Sequence, residues 1–394
     1  MINHGKNIFL SLVFLLLALP AGSQIDKQVG NLIDTLKGKL IDDKIPSKTF
    51  KDKFMYPHRW YVKQLLKPKK PYFDTTYIKS NKRRLTITVP VAKKFYGFNF
   101  IDLKEKRALK FSPNNYYHLG FNFSNIILTF GFYPGIKFGA KPNKGTTTSR
   151  DYQVTIIGKR VITDVNYQRY KGFYVFNTKD FEVNVLDAKD VFIRPDINVF
   201  SFGVNTMFIF NYKKYSLRGA FSFTDVQRKS AGSFMVGLYH SYTLFTSFDS
   251  TFIPRPLRDT FSLALSDIHR ISLITIGLSG GYGYTYVYKK IVLSTAINVG
   301  FGGQKTNYET LDRKGHTLSV NPSVHLNVKG AIRYDNLRFF IGILSTYDNN
   351  YTLNPEMFNT ESYIARILIF SGYRFNIKQN GHKFLRAMGL VDYD

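Results

Sequence analysis

From Thr317 to Arg333 the chain alternates without a break. Leu318, Val320, Pro322, Val324, Leu326, Val328, Gly330 and Ile332 share one face. Thr317, Ser319, Asn321, Ser323, His325, Asn327, Lys329, Ala331 and Arg333 share the other. A period of two predicts a strand, and 17 residues far exceed the roughly 5–6 of a common strand. A soluble sheet would bury the apolar face. Repeated many times, a strand of this length predicts the reverse: apolar face to lipid, polar face to a lumen.

Ile271 to Tyr288 repeats the pattern. Its even face runs Ile274, Ile276, Leu278, Gly280 and then Tyr282, Tyr284, Tyr286 and Tyr288; its odd face is Thr, Ser and Gly. An aliphatic band ending in tyrosines fits a lipid face that meets an interfacial aromatic girdle. Lys289-Lys290 turns the chain, and Ile291 to Phe301 alternates again.

Further strands are predicted at Phe95–Leu103, Tyr116–Phe123, Ile126–Tyr133, Tyr152–Ile157, Arg160–Tyr170, Asp196–Phe210, Tyr215–Thr224, Ser233–Phe245, Leu337–Tyr347 and Ser362–Phe375. Two-residue turns at Ser124-Asn125, Gly158-Lys159 and Asp335-Asn336 join neighbours as hairpins. Longer connections span 134–150, 171–195, 303–316 and 348–361. Short turns alternating with long loops are the asymmetry of outer-membrane barrels. The count from Phe95 is 13, whereas a barrel with both ends in the periplasm needs an even number. Thr260–Ser266 supplies a fourteenth; without the Phe95 strand there are 12. The expected fold is all-β: a transmembrane antiparallel up-and-down barrel of 12–14 strands. The last strand ends in Tyr373 and Phe375 on its apolar face, a pattern that predicts recognition by barrel-insertion machinery, with 378–394 as a tail.

The N-terminus has a different pattern. His4 and Lys6 precede an apolar run from Ile8 to Leu19 broken only by Ser11, and Pro20-Ala21-Gly22-Ser23 follows. This predicts a secretory leader over 1–23; it is shorter than the ~20 residues a spanning helix needs. Residues 24–84 form a basic, Pro-dotted periplasmic lead-in, with helical spacing over Ile25–Ile41 and around Trp60–Leu66. The barrel is expected over 85–377.

Composition narrows the classes. There is no Cys among 394 residues, which excludes lipoprotein acylation, disulfides and thiolate metal sites. The net charge of +28 would suggest nucleic acid in a cytosolic protein, but an exported chain points elsewhere. The cations sit largely in turns and at strand ends, where solvent screens them. The sharper expectation is that rim cations meet phosphates of outer-membrane lipid.

Three segments, Tyr167-Gln168-Arg169-Tyr170-Lys171-Gly172-Phe173-Tyr174, Arg194-Pro195-Asp196 and Gln227-Arg228-Lys229-Ser230-Ala231-Gly232-Ser233, together with Phe73-Asp74-Thr75-Thr76-Tyr77-Ile78, resemble a family of exported Bacteroidota proteins. That family is known as domain of unknown function 4421. The resemblance runs from about Asp74 to Phe375 and implies an outer-membrane barrel without an established activity.

Two apparent motifs fail on context. Gly277-Leu278-Ser279-Gly280-Gly281 matches G-x-S-x-G but lies inside a strand, with no elbow. Gly300 to Thr306 lacks the glycine and the helix of a phosphate loop. The histidines show no metal spacing, so neither metal nor cofactor is expected. The candidate binding set is polar: Asp164, Asn166, Gln168, Arg194, Asp196, Gln227, Arg228, Ser230 and Ser233. Asp164, at mid-strand on an inward face, calls for a cation, with Arg194 or Arg218 as candidates. The plain reading of the set is a polar lumen lining that braces the wall. The sharper one is a binding or gating cluster. The expected function is non-enzymatic: a narrow channel, transporter or envelope-interaction scaffold. A lipid-active hydrolase using Ser230 or Ser233 with His240 is the alternative, and a soluble periplasmic binding barrel the third.

Overall fold

The computed structural model describes residues 73–376 except 82–83, 115–116, 125–127, 134–138, 159, 182–190, 249, 313–314 and 355–356. The expected leader, the two lead-in helices, the tail, and turn residues Asn125 and Lys159 lie outside the described residues. Phe73–Phe375 forms one compact unit.

Among the described residues, seventeen strands follow in chain order. The first eight are β1 (Ile78–Ser80), β2 (Arg84–Asp102), β3 (Arg107–Ser112), β4 (Tyr117–Leu119), β5 (Phe121–Ser124), β6 (Leu128–Phe132), β7 (Thr148–Ile157) and β8 (Val161–Val175). Then come β9 (Ile193–Ile209), β10 (Asp225–Gln227), β11 (Ala231–Ser247), β12 (Ile268–Tyr288), β13 (Ile291–Thr310), β14 (Gly315–Thr317), β15 (Asn321–Asn336), β16 (Phe339–Thr352) and β17 (Phe358–Asn376). Two short helices interrupt them, α1 (Leu217–Phe221) and α2 (Leu263–Ser266).

The main sheet closes on itself. Its order is β12-β11-β9-β8-β7-β6-β5-β2-β17-β16-β15-β13, and β13 pairs back to β12. The ring therefore has twelve members. From β2–β5 round the ring to β16–β17, neighbouring strands pair antiparallel. Closure removes the exposed edges that a sheet of this size would otherwise present.

The fourteen expected strands become twelve through two departures from the sequence reading. Tyr215–Thr224 is not a strand; it holds α1, capped by Ser216, whose Oγ accepts from Gly219 N at 3.0 Å. Thr260–Ser266 is not the missing strand either, but the end of a 3-10 turn (Arg255–Thr260) followed by α2. Tyr215–Thr224 folds into the lumen, and Phe261 and Leu265 of the second segment pack into the cluster at the lumen's far end, so neither segment joins the wall. The Phe95 strand does belong to the ring, beginning at Arg84. The turn placed at Asp335-Asn336 falls two residues later, with Leu337 at φ 62°.

The faces divide as the alternation requires. On β12, Ile274, Ile276, Leu278, Tyr282, Tyr284, Tyr286 and Tyr288 are exposed while Ile271, Leu273, Thr275, Ser279 and Thr285 are buried. On β15, Ser323, His325, Asn327 and Arg333 are buried inward, and Ile332 and Tyr334 are exposed. Gly277 and Ser279 sit in mid-strand, and Ser279 Oγ donates to Met207 S at 3.6 Å, so the G-x-S-x-G resemblance is spurious. An exterior of exposed aliphatic side chains between aromatic levels is a lipid-facing surface. Among the described residues, no helix is long and apolar enough to cross a membrane.

Candidate functional site

The short turns, the first residue of β2 and the last of β17 share one end of the barrel, hereafter the turn end. The segment joining β9 to β11 also starts there and folds back to form a plug. β10 pairs with β1 (Ile78↔Gln227), so part of the lead-in belongs to the plug. Ser216 Oγ donates to Asp225 Oδ2 at 2.8 Å, and Arg218 Nε pairs with the same carboxylate. Phe223, at φ 59°, stacks on Phe370 at 4.3 Å and lies 5.5 Å from Phe340.

Two wall arginines hold the plug backbone. Arg333 Nη1 donates to Gly219 O at 2.6 Å, and Arg374 Nε donates to Phe223 O at 2.9 Å. Both reach one carboxylate: Arg333 Nε donates to Asp335 Oδ2 at 3.1 Å, and Arg374 donates to both Asp335 oxygens at 2.8 and 2.9 Å. Every partner in this array is buried. A carboxylate serving two guanidiniums supplies the compensation that buried charge demands.

The other end is closed by an aromatic cap. Phe98, Phe100, Phe173, Val175, Ile197 and Phe245 come from the ring, Leu109 and Phe111 from β3, which pairs with β2 and β8 beside it, and Phe252, Ile253, Leu257, Phe261 and Leu265 from the connection after β11. Phe98 stacks on Phe111 at 4.7 Å and Phe100 meets Phe252 at 4.9 Å. Gly172, at φ 88°, bulges β8 so that Phe173 points inward. An L side chain at that φ would be strained.

Between plug and cap lies a polar chamber of about 220 Å³. Lys94 pairs with Asp151 at 2.8 Å, and Arg366 reaches the same oxygen at 3.3 Å. Lys329 pairs with Asp164 at 3.1 Å, and Thr155 Oγ1 donates to Asp164 at 2.6 Å. Asp348 Oδ2 lies 3.0 Å from His325 Nε2 and accepts from Asn327 Nδ2 at 2.7 Å. Among the described residues, no group of three or more His, Asp or Glu is placed to hold a metal ion.

The nine candidates read from sequence divide three ways. Asp164, Asn166 and Gln168 do line the chamber. Arg194 and Asp196 do not; they pair at 2.7 Å near the cap, where Arg194 also donates to Thr251 O and Phe252 O. They brace the capping connection. Gln227, Arg228, Ser230 and Ser233 anchor the plug: Gln227 accepts from Ser216 N, Arg228 donates to Thr75 O, Ser230 Oγ accepts from Val287 N, and Ser233 Oγ accepts from Asn211 N. The expected partner of Asp164 is also different. Arg194 is engaged with Asp196 and Arg218 with Asp225, and Lys329 takes the role. Ser233 is inward and buried, whereas His240 is exposed on the opposite face of β11. The pair shares no site.

Sequence reading missed Lys94, Asp151, Asp348 and Arg366. Lys94 and Asp348 fall one residue outside the predicted ends of their strands, and Asp151 sits one before Tyr152. Continuing the two-residue period one residue past these predicted ends would have found those three, while Arg366 lies inside the predicted last strand, on the face opposite Ala365 and Ile367.

A family model described as a domain of unknown function (DUF4421) matches residues 73–375. Among solved structures, the outer membrane protease OmpT from Escherichia coli is similar at 11% identity and TM-score 0.33, covering 78% of this chain and 99% of that one. The transport unit of the autotransporter AIDA-I from Escherichia coli is similar at 10% identity and TM-score 0.31, covering 79% and 96%. The toluene transporter TodX of P. putida is similar at 7% identity and TM-score 0.25, covering 75% and 91%. Likeness at this level transfers no activity. No curated protein matches the chain.

Proposed function

The chain belongs to the DUF4421 family, and on that premise we propose that it is a non-enzymatic outer-membrane barrel closed by its own plug and cap. It acts as an envelope scaffold rather than a standing pore. Export by the leader at 1–23, a periplasmic lead-in, and insertion through the last strand belong to this reading. Tyr373 and Phe375 support the insertion step: they lie outward at that strand's end, 4.7 Å apart. The exposed aliphatic band disfavours the soluble binding barrel, because water would meet Ile276, Leu278, Val299 and Phe301 together.

The observation that carries the proposal is double closure. The plug is held by charge-assisted bonds from Arg333 and Arg374, and the cap is packed mainly from aromatic and aliphatic side chains. A second reading, gated passage of a small polar solute, is favoured by one feature. Asn166 Oδ1, Asn205 Oδ1, Asn350 Oδ1 and His325 Nδ1 are buried in the chamber without protein partners. Such atoms demand water or solute. Planar-bilayer recording of the purified full chain tests the proposal. The expected result is no steady conductance. A steady ohmic current from the unmodified chain would overturn it, and brief openings that cease on adding a polar solute would favour gated passage.

A further inference from the structure

The lipid-facing side of the wall carries a charge arrangement that the plug, cap and chamber do not use. Five outward rings on consecutive ring strands form a row: Phe132 to Tyr152 at 5.8 Å, Tyr152 to Tyr167 at 5.8 Å, Tyr167 to Phe200 at 5.4 Å, and Phe200 to Tyr242 at 6.0 Å. The row lies toward the cap end. Its counterpart at the turn end includes Phe234 and Tyr282, 5.0 Å apart. Phe234 and Tyr242 are eight residues apart on β11. At about 3.4 Å per residue and a tilt near 40°, that is about 21 Å along the barrel axis, close to the ~25 Å apolar band of outer-membrane barrels. The two aromatic rows thus mark the two interfaces of one bilayer.

Directly beyond the cap-end row stand three exposed cations. Arg150 lies two residues beyond Tyr152, Arg169 two beyond Tyr167, and Lys171 two further. Arg150 and Arg169 are register partners on β7 and β8, and Lys171 is the partner of Thr148. Directly paired residues have Cβ atoms only about 4.5–5.5 Å apart, where like charges repel. Among the described residues, no carboxylate forms an ion pair with Arg150, Arg169 or Lys171. Arg169 Nε is oriented by Asn198 Oδ1 at 3.3 Å. Elsewhere the wall neutralises an outward cation: Arg270 pairs with Glu309 at 3.3 Å. Here the repulsion is left standing at headgroup height.

We infer that Arg150, Arg169 and Lys171 form a binding site for the phosphate of a lipid headgroup in the leaflet at the cap end, with Tyr152 and Tyr167 packed against its glycerol or sugar and upper acyl region. An anion bridging the two guanidiniums converts a repulsive register pair into a bidentate clamp. The inference rests on the membrane-barrel reading proposed above.

The test uses the full chain in maltoside micelles doped with phosphatidylglycerol or with phosphatidylcholine, titrated over a salt series. The unmodified chain retains phosphatidylglycerol in preference, and the preference falls with salt. Each cation removed by Arg150→Gln, Arg169→Gln or Lys171→Gln weakens retention about fivefold at low ionic strength. Arg270→Gln leaves it unchanged. Equal retention by the triple variant overturns the inference, as does an equal loss in Arg270→Gln. Displacement by inorganic phosphate at the lipid's own concentration would point to a free-anion site and also overturn it. Heat-modifiable gel migration checks that each variant is folded, and the single variants suffice if the triple one fails to assemble. A chain that stays in solution without detergent would sink the barrel reading itself. A detergent-requiring barrel with unaltered lipid preference sinks only this inference.

Discussion

Asp335→Asn is the substitution on which the plug account depends most. The carboxylate accepts from Arg333 Nε at 3.1 Å, from Arg374 Nη1 and Nη2 at 2.8 and 2.9 Å, and from Leu337 N at 3.0 Å. Asparagine keeps the shape but offers one acceptor and a donor to groups that only donate. Two buried guanidiniums then lack a counter-charge. Removing one member of a buried ion pair typically costs about 3–5 kcal/mol, and two cations depend on this anion. Arg333→Met is the informative comparison. It forfeits the bonds to Asp335 and Gly219 O, but Arg374 still holds Asp335 through both oxygens. The methionine retains much of the volume, so that variant should cost about 1.5–3 kcal/mol. Urea unfolding of vesicle-inserted protein measures both, and limited proteolysis within 210–230 reports release of the plug. The expected order is Asp335→Asn worse than Arg333→Met, with faster cleavage in both. If Asp335→Asn costs no more than Arg333→Met, the shared-carboxylate account is wrong.

Other expectations concern the wall and the cap. Leu278 is 69% exposed on the outward face of β12, so Leu278→Arg should cost about 2–4 kcal/mol in a bilayer; an unchanged unfolding midpoint in vesicles would refute a lipid-facing exterior. Gly281 and Gly280 are adjacent but face opposite ways. A Cβ at Gly281 would collide with Ile297 O and Asn298 Oδ1, while one at Gly280 meets nothing within 4 Å. Gly281→Ala should therefore lower stability by about 1–3 kcal/mol and Gly280→Ala by under ~0.5; equal effects in unfolding titrations would contradict the register. Phe100 is fully buried in the cap, and Phe100→Ala should cost about 3–5 kcal/mol. Transient bilayer conductance absent from the unmodified chain would show that the cap had loosened.

Much of the wall was legible from one rule. A strand reverses its side chains at every residue, so Thr317–Arg333 and Ile271–Tyr288 declared both faces without reference to any partner. Asp164, Asn166 and Gln168 were placed inward on the same ground, and they are inward. The rule failed where apolar sequence was not wall. Tyr215–Thr224 and Thr260–Ser266 read as short strands because each needs burial. What buries them is the lumen, and only the closed ring creates a lumen. Local pattern cannot tell a segment that completes a cylinder from one that fills it.

Pairing was equally out of reach. Asp164 demanded a cation on physical grounds, but the cation is Lys329, 165 residues away. Asp335 is shared by Arg333, two residues off, and Arg374, 39 off, and Arg374 is set opposite only because β17 pairs with β16. The chain by itself determined an apolar outside, a polar inside and the lengths of the staves, because these follow from a two-residue period and the cost of wetting aliphatic surface. The tertiary structure alone decided that there are twelve staves, that a plug and a cap enter the lumen from its two ends, and which charges meet in it. Those outcomes depend on ring closure, which brings together residues that no sequence interval relates.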